Sequence, residues 1–280
     1  MRINTNINSM RTQEYMRQNQ DKMNTAMNRL SSGKSINSAA DDAAGLAIAT
    51  RMRAKEGGLN VGARNTQDAM SALRTGDAAL GSISNILLRM RDLATQAASG
   101  TNNLKDSASL NKEYKQLAEE IDHIAEKTNF NGNSFLNQAG GGTDIKIQLS
   151  DAANDTLDIT AINAKAATLL GAAVGTLTDA ADPAAAITAA TAEMEKIDTA
   201  IQAVADARAT FGSQLNRLDH NLNNVTSQAT NMASAASQIE DADMAKEMSE
   251  MTKFKILNEA GISMLSQANQ TPQMVSKLLQ

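Results

Sequence analysis

Few residues of this 280-residue chain have the type and spacing that covalent or metal chemistry needs. His123 and His220 stand alone, without a cysteine or carboxylate set at ligand spacing, and no HExxH motif occurs, so both read as rim residues beside apolar seams. Asp41-Asp42 offers paired carboxylates, but the pair stands where a helix would begin, and free N–H groups and the helix dipole favour carboxylates there. Gly140-Gly141-Gly142 lacks the Lys-Ser/Thr element of a phosphate loop and precedes an alternating apolar run, which makes it a linker. Cysteine is absent, which excludes disulfides and thiolate chemistry. No nucleophile, base and orienting group occur together and no cofactor loop is found, so neither a cofactor nor an enzyme is expected.

The residues that remain conspicuous are apolar, and their spacing calls for long helices. From Ile187 to Ile239 one stripe steps by three and four: Ile187, Ala190, Met194, Ile197, Ile201, Val204, Arg208, Phe211, Leu215, Leu218, Leu222, Val225, Ala229, Met232, Ala236 and Ile239. Only Arg208 is charged; its stem can lie along the stripe while its head reaches water or a carboxylate. Such a helix would be roughly 80 Å long at 1.5 Å per residue. Pro183 is placed to start it at the first helical position, with Asp182 as the cap.

Shorter seams precede it. Met16, Met23, Met27 and Leu30 keep helical spacing up to a stop at Ser31-Ser32-Gly33. A helix from Asp41 is expected to reach about Lys55 and weaken or bend at Gly57-Gly58. A second seam runs Leu73, Leu80, Ile83, Leu87, Met90, Ala94, Ala97, and a third Leu110, Tyr114, Leu117, Ile121, Ile124, closed by the Asn131-Gly132 turn signal. Ile145, Ile147 and Leu149 alternate with polar residues, as do Leu157 and Ile159, giving one β-hairpin near 143–160. Residues 161–182 are Ala- and Thr-rich and poorly patterned. A final helix carries Met244, Met248 and Met251, then Phe254, Ile256, Leu257, Ile262, Met264 and Leu265, and is expected to break at Pro272.

The expected fold is mainly α: a long, antiparallel, coiled-coil-like rod with one small β-hairpin and paired termini. Residues 1–40 with 239–280 form the terminal pair, and 41–238 form the rod with its hairpin and a short variable segment at 161–182. Aromatics are only 2% and Trp is absent, while 15 methionines serve as slender seam fillers. Net charge is -5 with no basic block, which gives no support for nucleic-acid binding. No apolar signal segment or membrane span is present in the sequence, so a cleaved leader and membrane insertion are not expected.

Particular motifs go further. Arg29-Leu30-Ser31-Ser32-Gly33, Ile36-Asn37 and Asp41-Asp42-Ala43-Ala44-Gly45-Leu46-Ala47-Ile48 resemble the N-terminal signature of bacterial flagellin. Ile239-Glu240-Asp241-Ala242-Asp243-Met244-Ala245-Lys246-Glu247-Met248 and Met264-Leu265-Ser266-Gln267-Ala268-Asn269-Gln270 resemble its C-terminal signature, and Asn129-Phe130-Asn131-Gly132 and Asn216-Arg217-Leu218 also match. Lys34-Ser35 and the final Gln280 depart from the usual pattern. The middle of the chain is short, with little or no outer variable domain.

The resemblance implies an extracellular subunit of the flagellar filament, exported without a cleaved signal peptide and polymerising with itself for swimming motility. It implies flagellar cap and junction proteins and a cytosolic export chaperone on the C-terminal segment as partners. It places Arg89, Leu93 and Glu113 at the contact positions for the host flagellin-sensing Toll-like receptor; as a helical pair four apart, Arg89 and an exposed Leu93 would suit an interface anchor. Met16, Met23, Met27, Leu30, Met244, Met248, Met251 and Leu265 are the expected assembly residues. The alternative reading is a hook–filament junction protein, which shares the terminal design.

Overall fold

The computed structural model describes residues 6–137, 144–171 and 183–278, and the backbone alone at 104, 183, 184 and 271–278. The Gly140–Gly142 linker, the Asp182 cap and residues 172–182 of the variable segment lie outside the described residues. Helix α1 spans Ile7–Ser32, α2 Ala43–Ala97, α3 Leu104–Lys127, α4 Ala166–Leu169, α5 Pro183–Glu240 and α6 Met244–Leu278. Strands β1 (Asn129–Phe130) and β2 (Asn133–Ser134) form one small hairpin, and β3 (Ile145–Gln148) and β4 (Thr156–Ile159) form another. The chain divides into two compact units, residues 57–229 and residues 1–56 with 230–280.

The 57–229 unit holds the main core. The α2 seam is fully inside: Leu73, Leu80, Ile83, Leu87, Met90 and Ala94 are all buried, and they join Tyr114 and Ile121 of α3 and Ile197, Val204, Phe211 and Leu218 of α5 in one cluster. Phe135 and Phe211 meet at 6.4 Å between ring centres. Gly76 makes room for them, since a Cβ there would collide with the Phe135 ring. Tyr114 donates its hydroxyl to buried Glu193 (3.0 Å), which also holds Lys196 (2.6 Å). Burial first, then the Glu193 carboxylate, pushes the Tyr114 hydroxyl well up from its ordinary value.

The β3–β4 hairpin pairs Ile145 with Ile159 and Gln148 with Thr156, and Asn154 (φ 71) turns the chain between them. The β1–β2 pair, missed as strand, is only two residues long on each side; Asn131 (φ 51) and Gly132 (φ 83) form the turn that the Asn-Gly signal marked.

Three sequence expectations are corrected. Helix α2 does not end near Lys55 but continues through Gly57-Gly58 to Ala97. Gly58 and Gly62 are there for packing: a Cβ at Gly62 would lie 2.6 Å from the Leu149 carbonyl oxygen, and one at Gly58 would collide with Asp151. Arg208 is not a member of the α5 stripe. Ala207 takes the inward place, while Arg208 is exposed and sends Nε to Asp77 Oδ1 of α2 at 2.8 Å. Helix α6 does not break at Pro272 but runs to Leu278, because a proline removes one bond of the ladder and this helix absorbs that loss.

Candidate assembly surface

In the unit formed by residues 1–56 and 230–280, the chain is pinned where α1 gives way to α2 and α5 to α6. Gly33 (φ 71) closes α1 in the left-handed conformation, its N–H donating to the Arg29 carbonyl at 2.9 Å. Ser35 N–H then donates to the Glu240 carbonyl (2.7 Å) and Ala242 N–H to the Gly33 carbonyl (2.9 Å). The Glu240 side chain is buried and takes Arg53 Nε at 2.6 Å and Lys34 Nζ at 3.3 Å. Burial pushes its carboxyl up, but the hydrogen bonds and charges of Arg53 and Lys34 outweigh that and hold it below its usual range. Asp42 caps α2 by accepting from Ala44 and Gly45 N–H, both at 3.0 Å, and Asp41 accepts from Asn37 and Ser38 N–H, so helix and loop capping occupies both carboxylates.

Helices α1 and α6 pack together along a regular seam. On α1 a stripe of half-buried or buried positions runs Ser9, Thr12, Met16, Asn19, Met23, Ala26 and Leu30, with Gln20 and Arg29 half-buried beside it; on α6 the stripe runs Glu247, Met251, Phe254, Asn258, Gly261, Leu265 and Ala268, with Glu250 half-buried beside it. Both sets step by three and four, the spacing of helices that lie alongside. Asn6 donates to the Ala268 carbonyl (2.8 Å), Asn258 to Gln20 Oε1 (2.6 Å), and Arg29 reaches Glu247 at 3.5 Å. Gly261 lets the helices close up, since a Cβ there would stand 2.8 Å from Met16 Cγ. Yet Ala26 is the one buried residue of α1. The seam is thin and strongly polar.

The remaining apolar surface of the pair faces away from this seam. Ten of the thirteen exposed large apolar side chains among the described residues lie on α1 and α6: Ile7, Met10, Tyr15, Met27, Met244, Met248, Ile256, Leu257, Ile262 and Met264. Of the eight residues singled out from sequence, Met16, Met23, Leu30, Met251 and Leu265 lie half-buried on the seam, whereas Met27, Met244 and Met248 are exposed. Sequence reasoning missed the outward-facing Ile7, Met10 and Tyr15, and gave Ile256, Leu257, Ile262 and Met264 no assembly role. The available signal was that the last four fall off the α6 heptad, leaving a helix apolar around most of its circumference, which requires cover on more than one side.

The three positions implied as receptor contacts behave differently from one another. Arg89 Nε and Nη2 donate to Glu113 Oε1 at 2.9 and 2.8 Å, and both side chains are exposed, so α2 and α3 present a joined pair. Leu93 is not exposed as expected. It is 1% accessible and belongs to the core cluster, because it falls on the inward face with Met90 and Ala94; the exposed leucine of this stretch is Leu88.

A model of the bacterial flagellin N-terminal helical region matches residues 3–141, and one of the bacterial flagellin C-terminal helical region matches residues 194–279. Flagellin of Listeria monocytogenes is 45% identical over 290 aligned residues, covering 100% of this chain and 99% of its own length. The chain belongs to the bacterial flagellin family. Flagellin of Bacillus subtilis is 38% identical and is covered from end to end. The crystal structure of Bacillus cereus flagellin, 65% identical, aligns with a TM-score of 0.51 over 62% of this chain and 94% of that one. A putative flagellar hook-associated protein from Vibrio parahaemolyticus aligns with a TM-score of 0.58 over 72% of this chain and 100% of that one, but at 15% identity it speaks to the fold alone. Flagellins are structural subunits of the extracellular flagellar filament, and this flagellin is a structural protein of that kind, not an enzyme. No helix among its described residues is long and apolar enough to cross a membrane.

Proposed function

We propose that this flagellin polymerises into the filament through the outward faces of α1 and α6, with the α1–α6 pair lining the inner tube. The observation that carries this reading is the set of ten exposed apolar side chains on those two helices. Each large apolar side chain that a neighbouring copy covers contributes about 1.5–3 kcal/mol. Contacts between different faces of identical subunits extend into an open helix when their rotation does not close a ring, as a filament requires. Membership of the flagellin family supports flagellar cap and junction proteins as further partners. An apolar C-terminal helix calls for an export chaperone before assembly. The reading is tested by seeded elongation of Ile256→Ser/Ile262→Ser. Elongation is expected to fall at least tenfold while the helix content of the free subunit stays unchanged; elongation at the parental rate overturns it.

A second role, as ligand of the host flagellin-sensing receptor, is favoured by the exposed Arg89–Glu113 pair. Arg89→Ala is expected to lower receptor signalling by monomer while leaving seeded elongation intact. Undiminished signalling removes this role.

A further inference from the structure

The methionines are distributed unevenly, and the exposed ones more so. Ten of the 15 lie in residues 1–40 and 239–280. Among the described residues, every exposed methionine is on α1 or α6: Met10 (62%), Met27 (51%), Met244 (49%), Met248 (57%) and Met264 (66%). Those elsewhere are sheltered; Met90 is fully buried and Met52, Met70, Met194 and Met232 are half-buried. Even on α1, Met16 is turned into the seam, its Cγ against Gly261. The chain has no Cys and no Trp, so thioether sulfur is its softest side-chain nucleophile.

We propose that Met10, Met27, Met244, Met248 and Met264 are a modification site for two-electron oxidants of the peroxide class, that their oxidation blocks polymerisation of the free subunit, and that polymerisation shields them. The inference rests on the assembly reading above and adds its regulation. In the step, a lone pair on the thioether sulfur attacks one peroxide oxygen. The S–O bond forms as the O–O bond breaks, the leaving oxygen takes the remaining proton, and the products are methionine sulfoxide and water. Sulfur is oxidised by two electrons and hydrogen peroxide is reduced by two.

The product replaces a flexible apolar side chain with a polar one carrying a strong hydrogen-bond acceptor. On a solvent-facing helix surface that costs little, so the free subunit keeps its fold. Between two apolar faces the sulfoxide oxygen loses water without gaining a donor, and the interface is disfavoured. Because the modification is reversible by methionine sulfoxide reductases acting on each epimer, a subunit held before assembly is repairable.

The test uses full-length subunit and hydrogen peroxide, with peptide mass spectrometry and seeded elongation as readouts. In free subunit the five exposed methionines are expected to oxidise at least tenfold faster than Met90, and in the filament to be protected at least tenfold relative to the free subunit. Oxidised subunit is expected to elongate at least tenfold more slowly, and treatment with both sulfoxide reductases and a dithiol to restore the rate. Across a series of peroxide doses the loss of rate is expected to follow sulfoxide occupancy at the five exposed methionines and not that at Met52, Met70, Met194 and Met232. Parental elongation by fully oxidised subunit overturns the proposal, as does a loss of rate that follows sulfoxide at the sheltered methionines while the five exposed ones remain thioethers. Failure of untreated subunit to elongate overturns the assembly reading, and this proposal with it.

Discussion

At the residue scale, two buried groups carry distinct expectations. Leu93 lies in the core beside Met90 and Ala94, so Leu93→Ala should cost about 2–5 kcal/mol of stability, measurable by denaturant unfolding. A receptor-signalling loss in that variant would therefore report misfolding rather than a lost contact. Glu240 is a buried carboxylate held below its ordinary value of 4.5 by Arg53 and Lys34. A depressed folded value means that its contribution is fully present above the unfolded value and is lost as pH falls through the folded one. Unfolding of the parental chain should thus steepen below about pH 4.5, and Glu240→Gln should flatten that acid limb. An unchanged acid limb in the variant would contradict the clamp. Glu240→Gln should also lower stability at neutral pH, because Arg53 and Lys34 lose their shared charge partner.

At the scale of the element, the glycines of α2 separate helix propensity from packing. A Cβ at Gly57 meets nothing within 4 Å, whereas one at Gly62 lies 2.6 Å from a backbone oxygen of the hairpin arm. Gly57→Ala should therefore raise stability by up to about 1 kcal/mol, and Gly62→Ala, with the same propensity gain, should lower it. Equal effects on thermal unfolding would contradict the packing account. These glycines also show what a sequence can and cannot disclose. The stripes of Leu73–Ala97 and of α5 were legible because period 3.6 survives in one dimension. Gly57-Gly58 was misread as a weak point because the hairpin that needs the space comes some ninety residues later. Ala207 and Arg208 were confused because both positions fit a three-or-four step, and only the ion pair to Asp77 decides which turns inward. Exposed, that pair contributes about 0–1 kcal/mol and sets orientation more than stability.

For the molecule as a whole, the two units differ in how far each completes its own interior. The 57–229 unit buries its helices around one apolar cluster, whereas α1 buries a single alanine and α6 leaves apolar residues on several faces. The family was legible in the terminal motifs, but the assembly surface was only half legible. Seam residues and outward residues are both apolar, and which are which depends on the partner helix: Met16 and Met27 look alike in sequence, yet the first meets Gly261 and the second meets solvent. A seam this thin offsets little of the entropy of ordering its residues, about 1–2 kcal/mol each for the backbone. The account holds that copies of the same chain supply the rest.

Amide hydrogen exchange on free subunit and on filament tests this most directly. The account predicts rapid exchange across α1 and α6 in the free subunit, slow exchange in the core of α2, α3 and α5, and at least a hundredfold gain of protection in α1 and α6 on polymerisation. Protection of α1 and α6 in the free subunit equal to that of the core, unchanged in the filament, would contradict it.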